Sequence, residues 1–150
     1  MSGVSETEAG KEFTRGLKLL QEGNSLAALT FFERAFVLGD RPEYFSYLGF
    51  CIAKERGQVQ KGTHLCREAL AQEPDKTTHY LNLGKIHLVA GNKPEAIRVF
   101  REGLTNGANQ EITDLLNAIG TRKPPVIAAL GRNHPLNKYL GIILSRLRLR

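Results

Sequence analysis

Four histidines and two cysteines are the side chains of this 150-residue sequence with the widest chemical repertoire, and their spacing argues against catalysis or metal binding. His64, His79, His87 and His134 form no HExxH or HxxxH pair and have no Cys or Asp at metal-ligand spacing. Cys51 and Cys66 form no CxxC pair and are too few for a disulfide framework, so they read as buried thiols in a reducing compartment. No GxSxG, GxxxxGK[ST] or GxGxxG occurs, and Leu83-Gly84-Lys85 falls inside a helix, where the backbone donors are already used. The chain is therefore read as non-catalytic, and no motif calls for a metal or cofactor. His87 shares a column with Leu19 and Ile52, which predicts a histidine at the core edge with one hydrogen bond.

Side chains without chemistry of their own act through the surface that positions them, so composition comes next. The length fits one domain or one stack of repeats. A content of 41% hydrophobic and 24% charged residues fits a soluble folded protein. The absence of Trp and the 7% aromatic content favour a helical core of Leu, Ala, Ile and Phe over a β-sandwich. Residues 1–12 are polar and acidic, unlike a secretory signal. Apolar runs such as residues 50–53 and 142–144 fall far short of the roughly 20 residues that cross a bilayer. A cytoplasmic location is the expectation.

Self-similarity is the strongest signal, with a period of 34 residues. Its columns are Gly23, Gly57 and Gly91, then Ala28, Gly62 and Ala96, then Phe32, Cys66 and Phe100, then Ala35, Ala69 and Gly103. An upstream column of Gly16, Gly49 and Gly84 steps by 33 and then 35, which predicts one extra residue in the first helix of the second repeat. Each repeat reads as a helical hairpin in which Gly or Ala lets two helix backbones approach closely. The Gly-Asn pairs supply the turns, with Asn24 and Asn92 as caps for the second helices. Pro94 suits a first helical turn, and Pro42 and Pro74 mark repeat boundaries. After the third hairpin, Ile112, Leu115, Leu116 and Ile119 recur at i, i+3, i+4 and i+7, which predicts a capping helix over 111–120.

The stretches GLKLLQEGNSLAALTFFERAFVL, LGFCIAKERGQVQKGTHLCREALAQEP and LGKIHLVAGNKPEAIRVFREGL resemble the tetratricopeptide repeats (TPRs). Departures from that pattern are Glu12 at a usually large apolar place, Lys85 and Gly103 at places with other usual residues, and no closing proline in the third repeat. The fold implied is all-α, a right-handed superhelical stack of three helix-turn-helix repeats (9–41, 42–76 and 77–110) with a C-terminal capping helix. The resemblance also implies that the first helices line a concave groove. The residues facing it are then Phe13, Leu17, Leu20, Tyr47, Phe50, Leu81, Asn82, Lys85 and Leu88, with about half of them doubling as inter-repeat core. One TPR subgroup grips a peptide's C-terminal carboxylate with Lys, Asn, Asn, Lys and Arg. This chain has Phe13, Leu17, Tyr47, Thr78 and Asn82 at those places and is not expected to bind in that way.

Residues 121–150 differ in kind. They carry Arg122, Lys123, Arg132, Lys138, Arg146, Arg148 and Arg150 with no acid, a charge of +7, whereas residues 1–120 hold 14 basic and 15 acidic groups. Pro124 and Pro125 favour an extended segment. Leu136, Leu140, Ile143, Leu144 and Leu147 then fall on one stripe of an additional amphipathic tail helix over 135–147. That stripe suits docking on the last hairpin or in the groove, partner binding or self-association. The charge suits an anionic membrane or nucleic acid.

The function expected is a protein–protein interaction module, an adaptor, scaffold or chaperone-like protein, holding a peptide or helix in the groove around Tyr47, Phe50 and Lys85. Alternatives are an adaptor for nucleic acid or an anionic membrane surface acting through the tail, and a chaperone like those of type III secretion.

Overall fold

A computed structural model of the chain describes residues 2–120. The tail charges and the helix expected over 135–147 lie outside the described residues.

Among the described residues seven helices follow one another: α1 (Ser2–Gln21), α2 (Ser25–Leu38), α3 (Pro42–Arg56), α4 (Val59–Gln72), α5 (Thr77–Val89), α6 (Lys93–Asn106) and α7 (Gln110–Gly120). They pair as hairpins α1/α2, α3/α4 and α5/α6, and the hairpins stack through α2 on α3, α4 on α5 and α3 on α5. The described residues thus form an all-α superhelical stack of helix-turn-helix repeats, closed by α7. The first helix starts at Ser2, seven residues ahead of the expected start of the first repeat.

Local chemistry sets the helix ends. Asn24 caps α2 by accepting from the Ala27 N–H at 3.1 Å. Asn92 precedes α6 in the same way but makes no side-chain cap bond, a correction to the symmetry expected of the two. Pro42 opens α3 and Pro94 stands in the first turn of α6, where a missing N–H costs nothing. Helix α3 runs up to Gly57, whose φ of 67° ends it, whereas α1 and α5 stop two residues before Gly23 and Gly91. This is the extra helical residue expected from the 33/35 step.

The glycine column has two uses where the sequence suggested one. In the second repeat the backbones of α3 and α4 do touch: a Cβ on Gly49 would stand 2.6 Å from the Gly62 carbonyl oxygen. In the first and third repeats Gly16 and Gly84 instead seat the rings of Phe32 and Phe100, and a Cβ on Gly16 would stand 2.5 Å from Phe32 Cε1. The replacement of Phe by Cys66 is what lets the second hairpin close further. Phe32, Phe100, Tyr44, Ile52, Ile86, Val99 and Ile112 fill the buried core. Glu12 is accommodated at its usually apolar place by an ion pair 3.7 Å long to Arg34 of α2.

The seams between repeats differ in chemistry. Between α1 and α3 the contact is aromatic, with Phe13 lying 5.0 Å from Tyr44 and 5.4 Å from Tyr47, centroid to centroid. Between α3 and α5 it is polar: buried Ser46 meets buried His79 and Asn82. Helix α7 is tied in by Asn109, whose Oδ1 accepts from the Ile112 N–H at 3.0 Å while its Nδ2 donates to Thr77 Oγ1 at 3.1 Å.

Candidate peptide-binding groove

The first helices of the repeats bring several of the residues expected at the groove together. Phe13 of α1 meets Tyr47 of α3, Lys85 of α5 lies over the Phe50 ring of α3 at 5.2 Å, and Lys85 Nζ reaches Glu111 Oε1 of α7 at 2.6 Å. Leu17, Tyr47, Lys85 and Leu88 are half-buried and so retain surface to offer a ligand. Phe13, Phe50 and Leu81 are core residues that floor the strip. Asn82 departs most from the expectation. It is fully buried and its Nδ2 donates to Ser46 Oγ at 3.2 Å, so it serves the α3/α5 seam.

The strip's polar groups are few. Lys85 has only 18% of its side chain exposed, balanced by Glu111 at 57%. Burial pushes the Tyr47 phenol up to about 12, and the carboxylates of Glu111 and Glu43 add to the rise, so Tyr47 stays a neutral hydroxyl throughout the physiological range. At the α1 end a cavity of about 600 Å³ is lined by Thr7, Gly10, Lys11, Phe13, Thr14, Arg15, Leu17, Arg41 and Glu43. Phe13 and Leu17 were expected at the groove, whereas the charged rim of Lys11, Arg15, Arg41 and Glu43 was not. Arg41 and Glu43 belong to the loop and first turn of the next repeat, 34-period columns do not mark them, and only the folded hairpin brings them beside Lys11 and Arg15.

Beneath the strip lies a second constellation that spacing could not reveal. Ser46 Oγ is 2.9 Å from His79 Nδ1, and His79 Nε2 is 2.9 Å from Glu73 Oε1. The three groups have the composition of a serine-hydrolase triad, yet Ser46 and His79 are both fully buried and no substrate reaches them. The network holds α5 to α3 and to the turn before α5. Neutral His79 donates from Nε2 to the Glu73 carboxylate and accepts from the Ser46 hydroxyl at Nδ1. The pKa of His79 is lowered by burial first and by nearby Lys76 as well, with the hydrogen bond and charge of Glu73 and the charge of Glu43 opposing them.

His87 sits at the core edge as expected, but its buried Nε2 has no hydrogen-bond partner among the described residues, and burial lowers its pKa too. A folded-state value below the unfolded 6.5 means that the fold prefers the neutral ring. The stabilisation is complete above pH 6.5 and is lost as pH falls from there through the folded values. The urea midpoint is expected to drop between pH 7 and 5, with a smaller drop in His79→Gln; an equal drop in both proteins would show that His79 does not carry it.

The thiols have no reactive character. Cys51 is pushed up to about 12, chiefly by burial, and Cys66 is raised by burial alone and donates its S–H to the Ser46 carbonyl at 3.5 Å. Among the described residues no group of three His, Cys, Asp or Glu could hold a metal ion, and no helix is long and apolar enough to cross a membrane.

Stacked helical hairpins define a helical-repeat scaffold. The sequence matches no protein-family model and no curated protein. Solved structures match the fold. The TPR domain of Arabidopsis OM64 is similar at 16% identity with a TM-score of 0.60, over 77% of this chain and 96% of that one. The second TPR domain of human RPAP3, solved by NMR in complex with the HSP70 peptide SGPTIEEVD, gives 14% and 0.59, over 81% and 100%. The Sgt2 TPR domain from Aspergillus fumigatus gives 16% and 0.57, over 80% and 87%. The chain has the tetratricopeptide-repeat fold.

Proposed function

We propose that this chain is a non-catalytic module that binds another polypeptide, holding a peptide or helix against the first helices of its repeats. The observation that carries this reading is the strip itself. Leu17, Tyr47 and Leu88 keep apolar surface in the open across α1, α3 and α5, above Phe13, Phe50 and Leu81, and Lys85 is the one charged residue of the set. Apolar surface that three successive hairpins leave half-exposed suits an apolar ligand face, read through anchors at i, i+3, i+4 and i+7. The HSP70 peptide held by the RPAP3 domain ends in Glu-Glu-Val-Asp. Here the places that grip such a terminus carry Phe13, Leu17, Tyr47, Thr78 and Asn82, and Asn82 is committed to Ser46. The partner is thus an apolar segment in place of an acidic C-terminus.

Photo-crosslinking tests this. A benzophenone side chain installed at Leu17 or Leu88 should capture the bound polypeptide, while one at Val37, 81% exposed on α2, should not. Leu17→Gln combined with Leu88→Gln should weaken binding of the captured polypeptide by at least about tenfold, as expected when interface anchors are removed, with helicity retained. Capture from Val37 alone would place the binding surface elsewhere.

A further inference from the structure

We infer that Glu111 sets the charge selectivity at the centre of the groove by occupying Lys85 from within, so that the part of the partner segment lying over that centre is apolar and free of acids. This rests on the groove reading above and adds the partner's chemistry to it. Four residues from three helices converge at the centre of the strip: Tyr47 and Phe50 of α3, Lys85 of α5 and Glu111 of α7.

Lys85 is the cation of this centre, largely sheltered and lying on the Phe50 ring. Left alone it would attract any carboxylate entering the groove, because a sheltered ammonium forms strong charge-assisted bonds. It is not left alone. The first turn of α7 delivers Glu111 to it at 2.6 Å, and Asn109 fixes that turn by capping α7 and bonding Thr77 of α5.

A partner carboxylate would have to displace Glu111, exchanging one ion pair for an equivalent one. It would also face the displaced Glu111 and Glu43, the two carboxylates that Tyr47 senses. Glu43 is itself engaged by Lys76, which leaves that ammonium committed to a carboxylate of this chain. At this centre an acidic side chain gains nothing, and an apolar one is accepted on its anchors alone.

Two pools of blocked twelve-residue peptides test the inference, each with leucine at i, i+3, i+4 and i+7. One pool carries a single Glu at each position between the leucines in turn, and the other carries Gln there. The full chain is expected to enrich the Gln pool at least as strongly as the Glu pool. Glu111→Gln is expected to favour the Glu pool by about tenfold, the gain of one charge-assisted hydrogen bond at a sheltered site. Adding Lys85→Gln should abolish that preference. Binding by Glu111→Gln without a preference for Glu would overturn the role of Glu111 and leave the groove standing. Preference for Glu by the unsubstituted chain would do the same, and enrichment of neither pool by any variant would overturn both readings. Circular dichroism of each variant should match the parent, since Glu111 is more than half exposed.

Discussion

Phe100→Ala is expected to destabilise the chain by about 3–5 kcal/mol, the range for emptying a phenylalanine site in a core. Its ring is fully buried and sits in the concavity left by Gly84, so two adjacent positions lack side-chain volume after truncation. The melting temperature should fall by about 10–20 °C. In a stack held by nearest neighbours the loss should be concentrated in α5, α6 and α7, read as amide exchange that accelerates there before it does in α1 and α2. A size-compensating pair sharpens the expectation. Gly84→Ala alone collides with the ring, whereas Gly84→Ala with Phe100→Leu should recover part of the loss. Equal exchange rates along the chain would mean that the repeats unfold as one unit.

The second large effect comes from the smallest change. On helix propensity alone, Gly62→Ala inside α4 should stabilise by about 1 kcal/mol. The packing of α3 on α4 predicts the opposite sign, because the new methyl meets the Gly49 carbonyl, and backbone cannot swing aside as a side-chain tip can. The net expectation is a loss of about 1–2 kcal/mol in urea melts, from overpacking that exceeds the propensity gain. Gly10→Ala in α1 is the control, since a Cβ there meets nothing within 4 Å. That variant should gain up to about 1 kcal/mol. A stabilised Gly62→Ala would show that the two helices can separate at no cost.

Much of the fold was legible because repetition multiplies weak signals. One Gly at position 16 means little, but Gly16, Gly49 and Gly84 with Phe32, Cys66 and Phe100 at fixed offsets define a hairpin three times over. The same regularity misled where repeats differ. Asn24 and Asn92 occupy equivalent places and only Asn24 caps. The glycine column suggested one crossing geometry and the fold contains two, since a Phe ring and a Cys thiol demand different separations between the helices. At the candidate groove, the resemblance assigned residues to α1, α3 and α5, but it could not divide partly exposed Tyr47 and Leu88 from interior Leu81 and Asn82. The polar seam between α3 and α5 takes Asn82 inside through its bond to Ser46. The seam itself was invisible because Ser46 and His79 are 33 residues apart and belong to no motif.

That seam gives the hairpins an order. An all-leucine stack could exchange its units freely, since any apolar face satisfies any other. Here the face of α3 toward α1 expects aromatic rings, and its face toward α5 expects an imidazole and an amide. A shuffled chain with the first and third hairpins interchanged would set Lys11 and Thr14 where His79 and Asn82 now meet Ser46, removing the buried imidazole and amide that satisfy its hydroxyl. The units are alike in shape but addressed to particular neighbours, so this array can be lengthened or permuted only by copying its seams along with its helices.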